Sequence, residues 1–236
     1  MDNYNPYNNY GGQPTALASV VSNTMKRVYV KMTLALVVTA LTAWFAATSA
    51  AYMNFLVTHS WFMWVLIIAE LGIVFGLSGA INRISNATAT MLFYLFSVVN
   101  GLMLCTIFYA YSPMAITKTF FITAGTFGAM SVFGYFTKQN LAKFGSILTM
   151  VLFGLVIAIV VNIFLKSSSL DWIISLVGVF LFVGLTAWDT QQIKTMAQMT
   201  GGENVGRLAT LGALSLYLDF INLFLFLLRI FGGNRD

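Results

Sequence analysis

Hydrophobic residues fall into seven long runs separated by short polar breaks, at 28–51, 61–82, 87–111, 114–136, 144–165, 170–189 and 208–231. Each is close to the ~20 residues an α-helix needs to cross about 30 Å of hydrocarbon. The breaks carry the residues that end helices: 54–60, 83–86, Ser112-Pro113, 137–143, 166–169 and the longer polar stretch 190–207. None leaves room for a separate soluble domain, so the pattern predicts an all-α polytopic membrane protein, one seven-helix transmembrane bundle over 26–236. Residues 1–25, rich in Asn, Tyr and Gly at their start and without a hydrophobic period, are expected as a disordered tail. Because that polar stretch precedes Lys26 and Arg27, and the following run is long, the first segment is expected to be an anchor and not a cleaved signal.

Composition agrees with this class. With 59% hydrophobic and 8% charged residues, the chain cannot cover a water-facing surface. The lone Cys105 excludes an internal disulfide and a multi-thiolate metal site, and reads as a packed thiol. The lone His59, between two apolar runs, reads as interfacial. In such a chain basic residues mark the cytoplasmic side and say little about nucleic acid, which is not an expected partner. Placing the N-terminus inside puts eight of the twelve Lys and Arg there: Lys26, Arg27, Lys31, Arg83, Lys138, Lys143, Lys194 and Arg207. Lys118, Lys166, Arg229 and Arg235 fall outside.

The candidate chemistry lies in the acids of the spans. Asp219 stands near the middle of LATLGALSLYLDFINLFLFLLRIF, and Gly212, Ser215 and Asn222 share its helical face. An ionised carboxylate facing lipid costs on the order of 3 kcal/mol, so this helix is predicted to be the buried, central one. Asp189 in GLTAWDTQQIK is expected at the cytoplasmic end of the preceding span. If the two helices pack side by side, the two carboxylates cannot both ionise cheaply and tend to hold one proton between them. Glu70 is a third acid near the middle of the second span, where Gly72, Gly76 and Gly79 would allow close approach of a neighbour. Arg83, at the end of that helix, is a candidate counter-ion for Asp189; the alternative is a topology-setting loop cation. Asn100, Lys118 and Asn162 are weaker polar signals within spans, with Lys118 able to snorkel.

The span ending TAWDTQQIK, the polar loop after it and the final ALSLYLDFINLFLFLLRIFG resemble the C-terminal signature of the Bax inhibitor-1 (transmembrane Bax inhibitor motif) family. The AELG of the second span is similar to that family's second helix. The resemblance covers about 28–233 and implies, for bacterial members, six helices around a central seventh and a pH-sensitive calcium leak. It implies a sensor at Asp189 and Asp219, an ion path past Glu70, and a basic second-helix residue bridging the sixth-helix aspartate.

The expected function is thus a passive cation leak, calcium foremost, of the bacterial inner membrane, gated by protonation of an aspartate pair and not an enzyme. Glu70, Asp219 and Asn222 could offer transient calcium ligands. Expected partners are the bilayer, calcium ions and protons; no cofactor is expected. One alternative is a non-transporting regulator of another membrane protein, such as a membrane-bound protease. A remoter one is an intramembrane aspartyl protease, disfavoured because Leu216-Tyr217-Leu218 stands where Gly-x-Gly should precede the second aspartate.

Overall fold

The computed structural model describes residues 13–233, and those residues form nine helices and no strand. They are α1 (Gln13–Thr48), α2 (Ala50–Thr58), α3 (Trp61–Ala80), α4 (Asn86–Leu104), α5 (Ile107–Ala110), α6 (Pro113–Phe136), α7 (Ala142–Leu165), α8 (Ser168–Met199) and α9 (Val205–Phe231). Seven are long and apolar enough to span a membrane, with Asn86–Ala110 counted as one span.

Local chemistry sets the boundaries. Serine hydroxyls at Ser49, Ser85, Ser112 and Ser167 accept from the backbone N–H three residues on, starting α2, α4, α6 and α8. Pro113 takes the first turn of α6, where its missing N–H costs nothing. The α8–α9 turn needs left-handed backbone: Gly202 has φ 103°, and Asn204 just before α9 has φ 53°.

Three stretches differ from the sequence expectation. Residues 13–25, expected in the tail, belong to α1, because Val21, Met25, Val28, Met32 and Ala35 continue a buried stripe at helical spacing below Lys26. Residues 1–12, like Arg235, lie outside the described part of the chain. Helix α8 runs on through most of the expected polar loop, since Ile193 and Ala197 extend its buried face under the polar Gln and Lys side chains. The third span breaks at Cys105, whose thiol packs between Leu102 O and Met53 Sδ as a core group. His59 caps α2 and stacks on Phe55.

Helix α9 is central. It is buried over 72% of its most apolar window, whereas no other span exceeds 44% and α7 reaches only 6%. It packs against α1, α4, α6 and α8, while α3 leans on α4 and α7 on α8 from outside. Gly212 makes the α8–α9 approach possible, because a Cβ there would stand 3.0 Å from the Ile193 side chain. The glycines of α3 do not play that part: Gly72, Gly76 and Gly79 have nothing within 4 Å of a built Cβ. That helix is peripheral and turns them away from its neighbour.

Candidate functional site

The two faces of α9 carry two separate polar sites. On one face, a 3.6-residue repeat places Gly212, Ser215, Asp219 and Asn222 in one row. They line a cavity of about 530 Å³, closed by Asp189, Gln192 and Trp188 from α8, Thr149 from α7 and Ser78 from α3. Leu211 and Leu218 line it too, so the row is flanked by apolar walls.

Asp219 is 4% exposed. Its Oδ2 is buried without a hydrogen-bond partner, whereas Asp189 is only partly buried. Asp189 lines the same cavity from α8. No Lys, Arg or His stands among the described lining residues. Asn222 Nδ2 donates back to Leu218 O at 2.8 Å, leaving its amide oxygen for the cavity. The extension of α8 moves Asp189 from the expected helix end into a helix interior.

The other face of α9 is organised by Tyr217. Its hydroxyl donates to Asn100 Oδ1 at 3.0 Å and lies 2.6 Å from Thr39 Oγ1. Asn100 Nδ2 donates to Glu70 Oε1 at 2.9 Å, and the Thr39 hydroxyl shares its one proton between Tyr217 Oη and Ser97 O, the latter at 2.9 Å. This chain ties α3, α4, α9 and α1 together through groups that are each partnered.

Glu70 stands mid-way along the second span, as the sequence predicts, yet it is not among the residues lining the aspartate cavity and its Oε1 accepts from Asn100 instead. Positions 217 and 219 point to opposite sides of a helix, which is the physical reason. Among the described residues, no group of three His, Cys, Asp or Glu could hold a metal ion. Arg83 is exposed and makes no ion pair with Asp189. The salt bridge among the described residues joins Arg229 and Asp171 at 3.2 Å, at the opposite end of α8. Lys118 is exposed, and Asn162 Oδ1 caps the turn at Ser167 N.

Sequence reasoning undervalued Asn100 and missed Tyr217 and Thr39. The available signal was an amide in the middle of an apolar span, which in hydrocarbon demands a partner. Lys31 was read only as a topology marker. Its Nζ donates to Thr90 Oγ1 and Thr210 Oγ1 at 2.7 and 2.6 Å, binding α1 to α4 and α9.

A central helix with a buried carboxylate, six further spans about it and a second acid facing it across one cavity define an all-α polytopic membrane protein with a paired-acid core. Comparison with known proteins narrows this class. A family model described as "Inhibitor of apoptosis-promoting Bax1" matches residues 21–236, and the chain belongs to the Bax inhibitor-1 family. The inner membrane protein YbhL of Escherichia coli K12 is 50% identical over 214 residues, covering 89% of this chain and 92% of that protein. An uncharacterized protein of Borreliella burgdorferi is 42% identical over 214 residues (90% and 92%). The uncharacterized protein RP147 of Rickettsia prowazekii is 42% identical over 213 residues (90% of each).

Proposed function

We propose that the protein is a passive, pH-sensitive cation leak, with calcium as its foremost ion, gated by protonation of the Asp189–Asp219 pair. The observation that carries this reading is the shared cavity: two carboxylates face it, one of them 4% exposed with an unpartnered oxygen, and no described cation lines it. Two like charges in a low-dielectric space repel, so proton occupancy sets how closely α8 and α9 approach there. With one proton between them the seam closes. With none, the helices are driven apart at the cavity and a cation is drawn in.

Calcium is bound by several oxygens. Asp219, Asp189, the Asn222 amide oxygen and the hydroxyls of Ser215, Ser78 and Thr149 supply this type of ligand around one space. Glu70 has no part in this set. By likeness to YbhL the protein is assigned to the inner membrane. The end bearing Lys26, Arg27, Arg83, Lys194 and Arg207 is assigned to the cytoplasmic side by the excess of basic residues.

Purified protein in calcium-free vesicles tests the reading. Calcium entry should exceed that of empty vesicles and vary with pH in the wild type but not in Asp219→Asn. Entry equal to empty vesicles, or the same pH dependence in the variant, overturns it. The binding of a stoichiometric membrane-protein partner by a protein silent in flux would point to the regulatory alternative.

A further inference from the structure

The basic end of the bundle holds a second concavity, which shares no lining residue with the aspartate cavity. Lys26, Arg27 and Lys31 of α1 face Asn86 at the start of α4 and Gly206 in the first turn of α9 across a pocket of about 280 Å³. Among the described residues, none of these three cations has a carboxylate within salt-bridge distance. Lys31 is held by two threonine hydroxyls, which are neutral. Three unpaired cations therefore stand together at one rim, with the starts of α4 and α9 and their helix dipoles on the other side, which suits a phosphate.

Lys26 and Val30 also belong to the wall of an adjoining groove of about 840 Å³ between α1 and α6. Met25, Leu36, Phe127 and Phe220 make that groove apolar, and both helices that form it are membrane spans. Near its basic end, Ser131 Oγ is buried in the groove wall and has no hydrogen-bond partner.

We propose that the pocket and the groove form one binding site for an anionic phospholipid. Its phosphate is held by Lys26 and Arg27 with Lys31 behind them, and an acyl chain lies between α1 and α6. The shared wall decides for a lipid over free phosphate, because cations that stand beside a hydrocarbon-lined groove match a molecule with both parts. Basic pockets between spans on the cytoplasmic side are the usual setting for such headgroups.

The test is native mass spectrometry of the full-length protein in micelles offered equal amounts of phosphatidylglycerol and phosphatidylcholine. Phosphatidylglycerol should be retained by about tenfold over phosphatidylcholine, a preference that shrinks when salt rises from about 0.05 to about 0.5 M. The double change Lys26→Gln with Arg27→Gln leaves the Lys31 hydrogen bonds in place and should erase the preference. Gly128→Leu should lower retention of both lipids at least fivefold, since its new Cβ meets no protein atom within 4 Å and fills the groove instead. Equal retention of the two lipids by the wild type at low salt, or unchanged retention in Gly128→Leu, overturns the proposal. So does displacement of the lipid by millimolar inorganic phosphate, which would mark a free-anion pocket. The salt arm uses the wild type alone, so a variant that fails to fold leaves the test intact.

Discussion

Two polar sites lie on opposite faces of α9, within two residues of each other, and they are built to opposite ends. Around Tyr217, every polar group has a partner: Glu70, Asn100, Tyr217 and Thr39 form a closed chain across four helices. Around Asp219, a buried carboxylate oxygen has none and faces another acid across a cavity. Buried polar groups that are fully satisfied hold elements in one arrangement, and those left unsatisfied mark places where the structure gives up stability for something else. A membrane-centre acid is thus not a functional signature by itself. Glu70 is held by Asn100, whereas Asp219 keeps a buried carboxylate oxygen without a partner, which is why the proposed gate is placed on Asp219 and not on Glu70.

Breaking the chain at its hub tests this contrast with the largest effect. Asn100→Leu strips Glu70 of its partner and Tyr217 of one of its two, and should cost about 2–3 kcal/mol of stability, read as a lowered midpoint of thermal unfolding in detergent. Tyr217→Phe removes one hydroxyl between Thr39 and Asn100 and should cost about 1 kcal/mol by the same measurement. A midpoint unchanged by either substitution contradicts a fastening role.

Asp219→Asn should behave differently. With no partner to lose and a repulsion to shed, it should shift stability at neutral pH by less than about 1 kcal/mol, in the stabilising direction. Repulsion that arises only when both are ionised adds to the stability lost as pH rises, and the variant should lose that part of the slope. Thermal midpoints between about pH 6 and pH 8 check it, and a slope undiminished in the variant would place the titration elsewhere. The smallest change belongs to Arg229→Gln. Its ion pair with Asp171 is half exposed at 41% and 49%, so less than about 0.5 kcal/mol is expected, with flux unaltered.

Much of this architecture can be read from the chain. Seven apolar runs set the spans, and a row of Gly212, Ser215, Asp219 and Asn222 on one helix face announced both the central helix and one wall of its cavity. The helix ends were harder, because polar Gln191, Lys194 and Gln198 resemble a loop while Ile193 and Ala197 between them continue a buried stripe. The same happened before Lys26, where Val21 and Met25 carry the pattern of α1 into a polar setting.

What the chain could not disclose was rotation. Which acid Asn100 meets depends on how α3 and α4 are turned about their axes, and no period in either segment fixes that. Glu70 and Asp219 looked alike in sequence, each an acid near the middle of an apolar helix. Only packing separates the one that is held from the one that is free. The expected pairing of Arg83 with Asp189 fails for a related reason, since a residue in the α3–α4 turn points to water when nothing packs over it.

The most direct test sets the two sites side by side in one flux assay. Calcium entry into vesicles is followed between about pH 6 and pH 8 for the wild type, Asp219→Asn and Glu70→Gln, the last keeping a side chain that can accept from Asn100. The account predicts that Asp219→Asn loses the pH dependence while Glu70→Gln keeps it. Loss of the pH dependence in Glu70→Gln with its retention in Asp219→Asn would contradict the assignment of the poised site.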